Sequence, residues 1–237
     1  MNQFELIASL THELRNPICT VNNLLYLLRR EITDSSQVEM LNGIEAANDE
    51  IQDLINNLAE FSKLQSGPVM PCLEKFSLHQ IITQLNSRYA AHSHSKNIVL
   101  SFADSKDQAI ELYGNKTQIH QLIHHVLGLM ISISHASQIS IDSDIADASP
   151  SQTLHFKIRF QGSVQENQRL NHYFSGQIHE PSLYAIPKSN TDLHVALCKT
   201  CIQSLKAEIF VRILDTQCMH LAVNIPLNLP DDQIIPY

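Results

Sequence analysis

Apolar residues in the first 65 positions recur at steps of three, four and seven. Phe4, Ile7, Leu10, Leu14, Ile18, Val21, Leu25 and Leu28 are followed by Val38, Leu41, Ile44, Ile51, Leu54, Leu58, Phe61 and Leu64. This spacing predicts two amphipathic helices of heptad type. Thr33-Asp34-Ser35-Ser36 predicts the turn between them, with Asp or Ser as N-cap of the second helix, and Ser66-Gly67-Pro68 predicts its end. Pro17 has no amide to offer the carbonyl of Glu13, so a kink is expected in the first arm. The pattern describes an antiparallel helical hairpin with arms of about 28 residues. Two helices alone cannot close a core around stripes of that length, so a second copy is expected to complete a four-helix bundle. The cluster Leu24-Leu25, Leu27-Leu28 is expected in the core of that bundle.

The pattern changes after residue 67. Val69 to Phe76 reads as extended, and a helix begins near Ser77-Leu78. Ile98 to Phe102 reads as a strand, Thr117 to Ser134 as an apolar helix, and Ile139 to Ile141 and Leu154 to Phe160 as strands. The polar run Asp142 to Gln152 is expected to be a loop. Leu193 to Lys206 reads as a helix, and Ile209 to Leu214 with His220 to Ile225 as a closing hairpin. Strands and helices that do not strictly alternate predict an α+β fold: residues 1–67 as the dimerising hairpin and 68–237 as an α/β sandwich.

Composition narrows the functional classes. With 43% hydrophobic and 17% charged residues, the chain can bury an ordinary core. A net charge of −8 with no dense Lys/Arg patch argues against nucleic acid as a partner. No apolar run reaches the roughly 18 residues of a membrane span, and no basic region precedes an apolar one as in a secretory signal. Cys19, Cys72, Cys198, Cys201 and Cys218 are odd in number and scattered, as in a cytoplasmic protein with reduced thiols.

One segment carries chemistry: Phe4-Glu5-Leu6-Ile7-Ala8-Ser9-Leu10-Thr11-His12-Glu13-Leu14-Arg15-Asn16-Pro17. His12 falls off the apolar stripe and is expected to face solvent. Imidazole is both nucleophilic and partly neutral near neutral pH. Glu13 beside it can accept the imidazole proton, and Asn16 lies one turn further along the same face, where its amide can hold a water or a phosphoryl oxygen.

This stretch resembles the H-box of the sensor histidine kinases of two-component systems, with Thr11 in place of the usual serine. The resemblance extends more weakly over nearly the whole chain. Glu74 to Ile82 is similar to the linker and first helix of that family's ATPase domain, Gly114 to Leu122 to the lead-in to its N-box helix, and Ile225-Pro226-Leu227 to its closing strand. The resemblance implies that His12 accepts a phosphoryl group, Glu13 orients it or takes its proton, and Asn16 positions a hydrolytic water.

The ATP-binding boxes depart from the family pattern. The two N-box asparagines that hold ATP and Mg²⁺ in the family fall at His125 and Leu129, and leucine cannot ligate a hard cation. The family's Asp-x-Gly-x-Gly turn falls at Phe160-Gln161-Gly162-Ser163-Val164, without the aspartate and with one glycine. Its Gly-x-Gly loop falls in Ser189 to Lys199, where Thr191, Asp192 and His194 stand instead. A carboxylate there opposes phosphates by like charge. The whole chain contains six glycines, few for phosphate-cradling loops.

The expected function is therefore a histidine phosphotransferase, relaying a phosphoryl group between receiver-domain aspartates without ATP-dependent autokinase activity. No cofactor is expected in the chain itself, and Mg²⁺ is expected in the receiver. Expected partners are a second copy, response-regulator receivers and a hybrid histidine kinase. The alternatives are a response-regulator phosphatase, a divergent but active sensor kinase, and a non-catalytic partner of a true kinase. If Met1 is the natural start, no sensor domain or anchor precedes His12, and the signal is expected to arrive through another protein. Cys198-x-x-Cys201 is expected as buried helix cysteines. His120, His124 and His125 are expected to fill a decayed nucleotide pocket, and His92-x-His94 is expected in a solvated loop.

Overall fold

The computed structural model describes residues 3–65, 72–96, 98–103, 111–133, 138–148, 151–161, 163–175, 187, 189–213 and 218–227. Two compact units divide the chain, one helical and one α/β. The boundary expected at residues 67/68 lies outside the described residues, as do the stop at Ser66-Gly67-Pro68 and Gly162.

The helical unit is a hairpin of α1 (Gln3–Glu31) and α2 (Ser35–Gln65), with arms of 29 and 31 residues. α1 is continuous through Pro17. Asp34 caps α2: its carboxylate accepts the amides of Ser36 at 3.0 Å and Gln37 at 3.1 Å, satisfying donors that a helix start leaves open. Beside this turn Arg29 donates to Asn42 at 3.0 Å and pairs with Glu45 at 2.5 Å.

The stripe read as one in the sequence divides into two. Thr11, Ile18 and Leu25 of α1, seven residues apart, are buried against α2, as are Leu41, Asn48, Ile55 and Ser62 from the other arm. Leu10, Leu14, Val21, Leu24 and Leu28 form a second stripe that is 38–55% exposed, matched on α2 by Met40, Ile44 and Ile51. A heptad pattern wide enough for both faces serves two contacts, and the hairpin fills only one of them. Of the Leu24 to Leu28 cluster only Leu25 is buried in the hairpin, while Leu24, Leu27 and Leu28 are exposed. The buried face includes a layer of amides, in which Asn48 donates to Asn22 and Asn22 donates to Gln52 at 3.1 Å.

The α/β unit contains β1 (Glu74–Ser77), α3 (Leu78–Lys96), β2 (Val99–Phe102), β3 (Glu111–Gly114), α4 (Lys116–Ile133), β4 (Gln138–Ala148), β5 (Ser151–Gln161), α5 (Val164–Ser175), α6 (Asn190–Leu205) from His194 onward, β6 (Glu208–Ile213) and β7 (Cys218–Leu227). The main sheet has the order β2-β4-β5-β7-β6; β2 and β4 are parallel and the other pairs antiparallel. β1 and β3 make a separate antiparallel pair. β7 alternates along its length between buried and more exposed positions. Ile139 and Ile141, Leu154, Phe156 and Ile158, and Leu221, Val223 and Ile225 are buried in one core with Leu122, Ile123, Val126 and Leu127 of α4. The sandwich and the α+β class are as the sequence predicts.

Two expectations are corrected. Asp142 to Gln152 is not a loop: Asp142 to Ala148 extend β4, and Ser151 and Gln152 begin β5. Asp142 and Asp144 lie on the outer face of the sheet, where they pair with Arg159 and Lys157 across the strands, so their polarity marks a solvated face rather than a turn. His92 and His94 are not in a loop either, since α3 runs on to Lys96. β3, only four residues long, and α5, largely polar, are elements the hydrophobic pattern does not signal.

Candidate functional site

His12 stands on α1 directly after buried Thr11. Thr11 holds its place in the inward row and bonds back to the carbonyl of Ala8 at 2.9 Å. Successive helical residues point about 100° apart, so an inward Thr11 turns His12 outward. His12, Glu13 and Asn16 are all exposed. Asn16 follows His12 by one turn, so the two share a face. Its carbonyl accepts the Thr20 hydroxyl at 3.1 Å, just below the point where Pro17 interrupts the amide ladder. Among the described residues no hydrogen bond joins Glu13 to His12, although the sequence reading has Glu13 accepting the imidazole proton: adjacent residues on a helix do not face each other. An exposed imidazole with an exposed carboxylate and amide beside it is open to a protein partner without a cleft.

The second place of interest is the face of α4 toward α6, where the nucleotide-holding positions of the resemblance fall. His125 and Leu129 are both 0% exposed. His194 of α6 is 5% exposed and lies with its Nδ1 at 3.3 Å from that of His125. A Cβ on Gly128 would fall inside 3.0 Å of three atoms of the His194 ring. The imidazole is therefore packed flush onto the α4 backbone. His124, also 5% exposed, places Nδ1 at 2.6 Å from the Tyr89 hydroxyl, which itself donates to the His124 carbonyl at 2.7 Å. Burial, and then His125, Arg88, His194 and His120, hold His124 far below the ordinary imidazole range. No group of three or more metal-ligating side chains converges among the described residues. Cys198 and Cys201 are buried in α6, as expected.

The packing of the His194 ring against Gly128 is not visible in the sequence pattern. The available signal was Gly128. A glycine inside an apolar helix costs about 1 kcal/mol against alanine, so it calls for a packing reason. Gly128→Ala is expected to destabilise on balance: overpacking against His194 costs roughly 1–3 kcal/mol against about 1 kcal/mol of helix propensity regained. Urea unfolding of the α/β unit should show a net loss, and a stabilised variant would refute the contact.

Comparison with known proteins adds independent findings. Residues 2–67 match the model of the His Kinase A (phospho-acceptor) domain. The sensor histidine kinase GacS of Pseudomonas protegens is 21% identical over 235 residues, covering 98% of this chain and 26% of the relative. The autoinducer 2 sensor kinase/phosphatase LuxQ of Vibrio parahaemolyticus is 17% identical over 225 residues, covering 94% of this chain and 26% of that protein. This chain thus spans about a quarter of the length of these curated relatives. Among solved structures, full-length ShkA in complex with AMPPNP has a TM-score of 0.59 at 15% identity, over 94% of this chain and 46% of that one. That likeness shows the fold: a helical hairpin followed by an α/β sheet unit.

Proposed function

Because the chain has the layout of the two-component histidine kinase family, we propose that it is a histidine phosphotransferase that exchanges phosphoryl groups with receiver-domain aspartates through His12 and does not phosphorylate itself from ATP. The supporting observation is a contrast between two sites. His12 is exposed within a matched phospho-acceptor segment. The face that would have to hold ATP is packed with side chains, the His194 ring lying on Gly128 beside His125 and Leu129. Two imidazoles and a leucine offer no oxygen donors, so they do not fit a nucleotide with a hard cation.

In the transfer step the neutral imidazole nitrogen attacks the phosphorus of an aspartyl phosphate in line. The N–P bond forms as the P–O bond to aspartate breaks, and the carboxylate leaves with the electron pair. Glu13, with solvent, takes the imidazolium proton. The reverse step loads a second aspartate. The receiver is expected to supply Mg²⁺, and partners are receivers, including one on a hybrid kinase. Homodimerisation covers the exposed stripe of α1 and α2. No helix among the described residues is long and apolar enough to cross a membrane, and we place the protein in the cytoplasm.

The test mixes the full chain with a receiver labelled on its aspartyl phosphate. Label appearing on His12, with none after incubation with labelled ATP alone, supports transfer. Self-labelling from ATP would overturn it. A second reading, a receiver phosphatase, is favoured by the exposure of Asn16 one turn from His12, and the LuxQ relative is named a sensor kinase/phosphatase. Asn16→Ala should leave histidine labelling within about twofold and slow phosphate release at least tenfold, on the order of one lost positioning contact. Equal loss of both rates would assign Asn16 to docking.

A further inference from the structure

The α/β unit holds a contiguous group of four imidazoles that phosphoryl transfer does not use. Ring centroids lie 4.9 Å apart for His124 and His125, 5.5 Å for His125 and His194, and 6.2 Å for His124 and His194. His120 stacks on His124 at 6.5 Å. The group joins α4 to α6, and Tyr89 ties it to α3.

The hydrogen bonds of Tyr89 fix the tautomer of His124. The hydroxyl donates its one proton to the His124 carbonyl, so at the 2.6 Å contact Nδ1–H must donate to the phenol oxygen. The remaining nitrogen, Nε2, is buried without a hydrogen-bond partner. A second proton would have to sit there with no acceptor and in low dielectric. The charged and titratable groups facing His124 are Arg88 and Tyr89 from α3, His120 and His125 from α4, and His194 from α6. Arg88 and the three histidines all oppose a further positive charge. No carboxylate among the described residues acts on it.

We propose that this cluster is an acid-sensitive latch: at mildly acidic pH, proton uptake at His124 weakens the packing of α4 against α6 and α3 and loosens the α/β unit while the hairpin is unaffected. The hairpin carries a single histidine, the exposed His12, so it has no buried imidazole to charge. The direction follows from proton counting. The folded state keeps His124 neutral, while the unfolded chain binds its proton near pH 6.5. Unfolding therefore takes up protons below that value. Stability is full above pH 6.5 and falls as pH drops, by up to about tenfold in the folding constant per pH unit for one such group.

Hydrogen–deuterium exchange on the full chain at pH 7.5, 6.5 and 5.5, corrected for intrinsic rates, reads the effect by element. Protection in α4 and α6 should fall on the order of tenfold between pH 6.5 and 5.5, with α1 and α2 unchanged. His124→Gln keeps an amide for Tyr89 and cannot titrate, so it should flatten the pH dependence. Constant protection in wild-type α4, or an unaltered fall in His124→Gln, would overturn the latch. Should that variant fail to fold, NMR titration of the wild-type ring decides: His124 must stay neutral until α4 opens, and reversible titration near pH 6.5 in the folded state would refute the proposal.

Discussion

Replacing His12 by Gln is expected to abolish phosphoryl uptake from a phosphorylated receiver, by a thousandfold or more, on the scale of losing a nucleophile. The side chain lies on the solvent face of α1, so stability should stay within about 0.5 kcal/mol of wild type. Glutamine keeps a helix-compatible stem and a polar head, but its amide nitrogen has no lone pair to offer phosphorus. The separation of the two effects is what makes the variant informative. Lost label with an unchanged melting curve and unchanged binding of the receiver assigns the chemistry to His12. Persistent label on the chain would move the acceptor elsewhere. Lost label together with lost receiver binding would show only that the face is a contact. An unaltered biological effect with no transfer would favour the role of a non-catalytic partner.

Val21→Glu with Leu24→Glu is expected to break the dimer proposed from the exposed stripe. Both residues lie in the middle of it, 38% and 55% exposed. Each large apolar side chain that completes its burial contributes on the order of 1 kcal/mol, the unburied half of a full transfer. The stripe on two copies supplies enough such groups to offset an association cost of about 4–15 kcal/mol. Two glutamates per copy put four carboxylates into that contact, and each unpaired buried charge costs several kcal/mol. Sedimentation should show a wild-type species at twice 26.7 kDa and a variant at 26.7 kDa, with helix content retained. A wild-type chain that sediments as a monomer at tens of micromolar would remove the dimer from the proposed function.

Much of this was legible in the sequence. Three- and four-residue spacing located both arms of the hairpin, and the run from Thr11 to Pro17 located the reactive face. What the spacing could not show was the division of the stripe, because residues such as Leu14 and Ile18 read alike although one is exposed and the other buried. Only the phase of α1 against α2, set by three-dimensional packing, separates them. Asp142 and Asp144 misled for a related reason: a strand with one wet face borrows the composition of a loop. The failed nucleotide boxes were legible as missing residues. The packing of His194 on Gly128 was not, since those positions are 66 residues apart in the chain.

The amide layer of Asn22, Asn48 and Gln52 carries a consequence for distance. An all-apolar pair of heptad helices can slide by seven residues and repack nearly as well, but here such a slide would face three amides with hydrocarbon. Only one alignment of the arms keeps them joined. The 19 residues from His12 to the end of α1 then form a fixed ruler, about 28 Å at 1.5 Å per residue. A partner that grips the Asp34 turn finds the reactive imidazole at one height on every copy, as a caliper set once and locked.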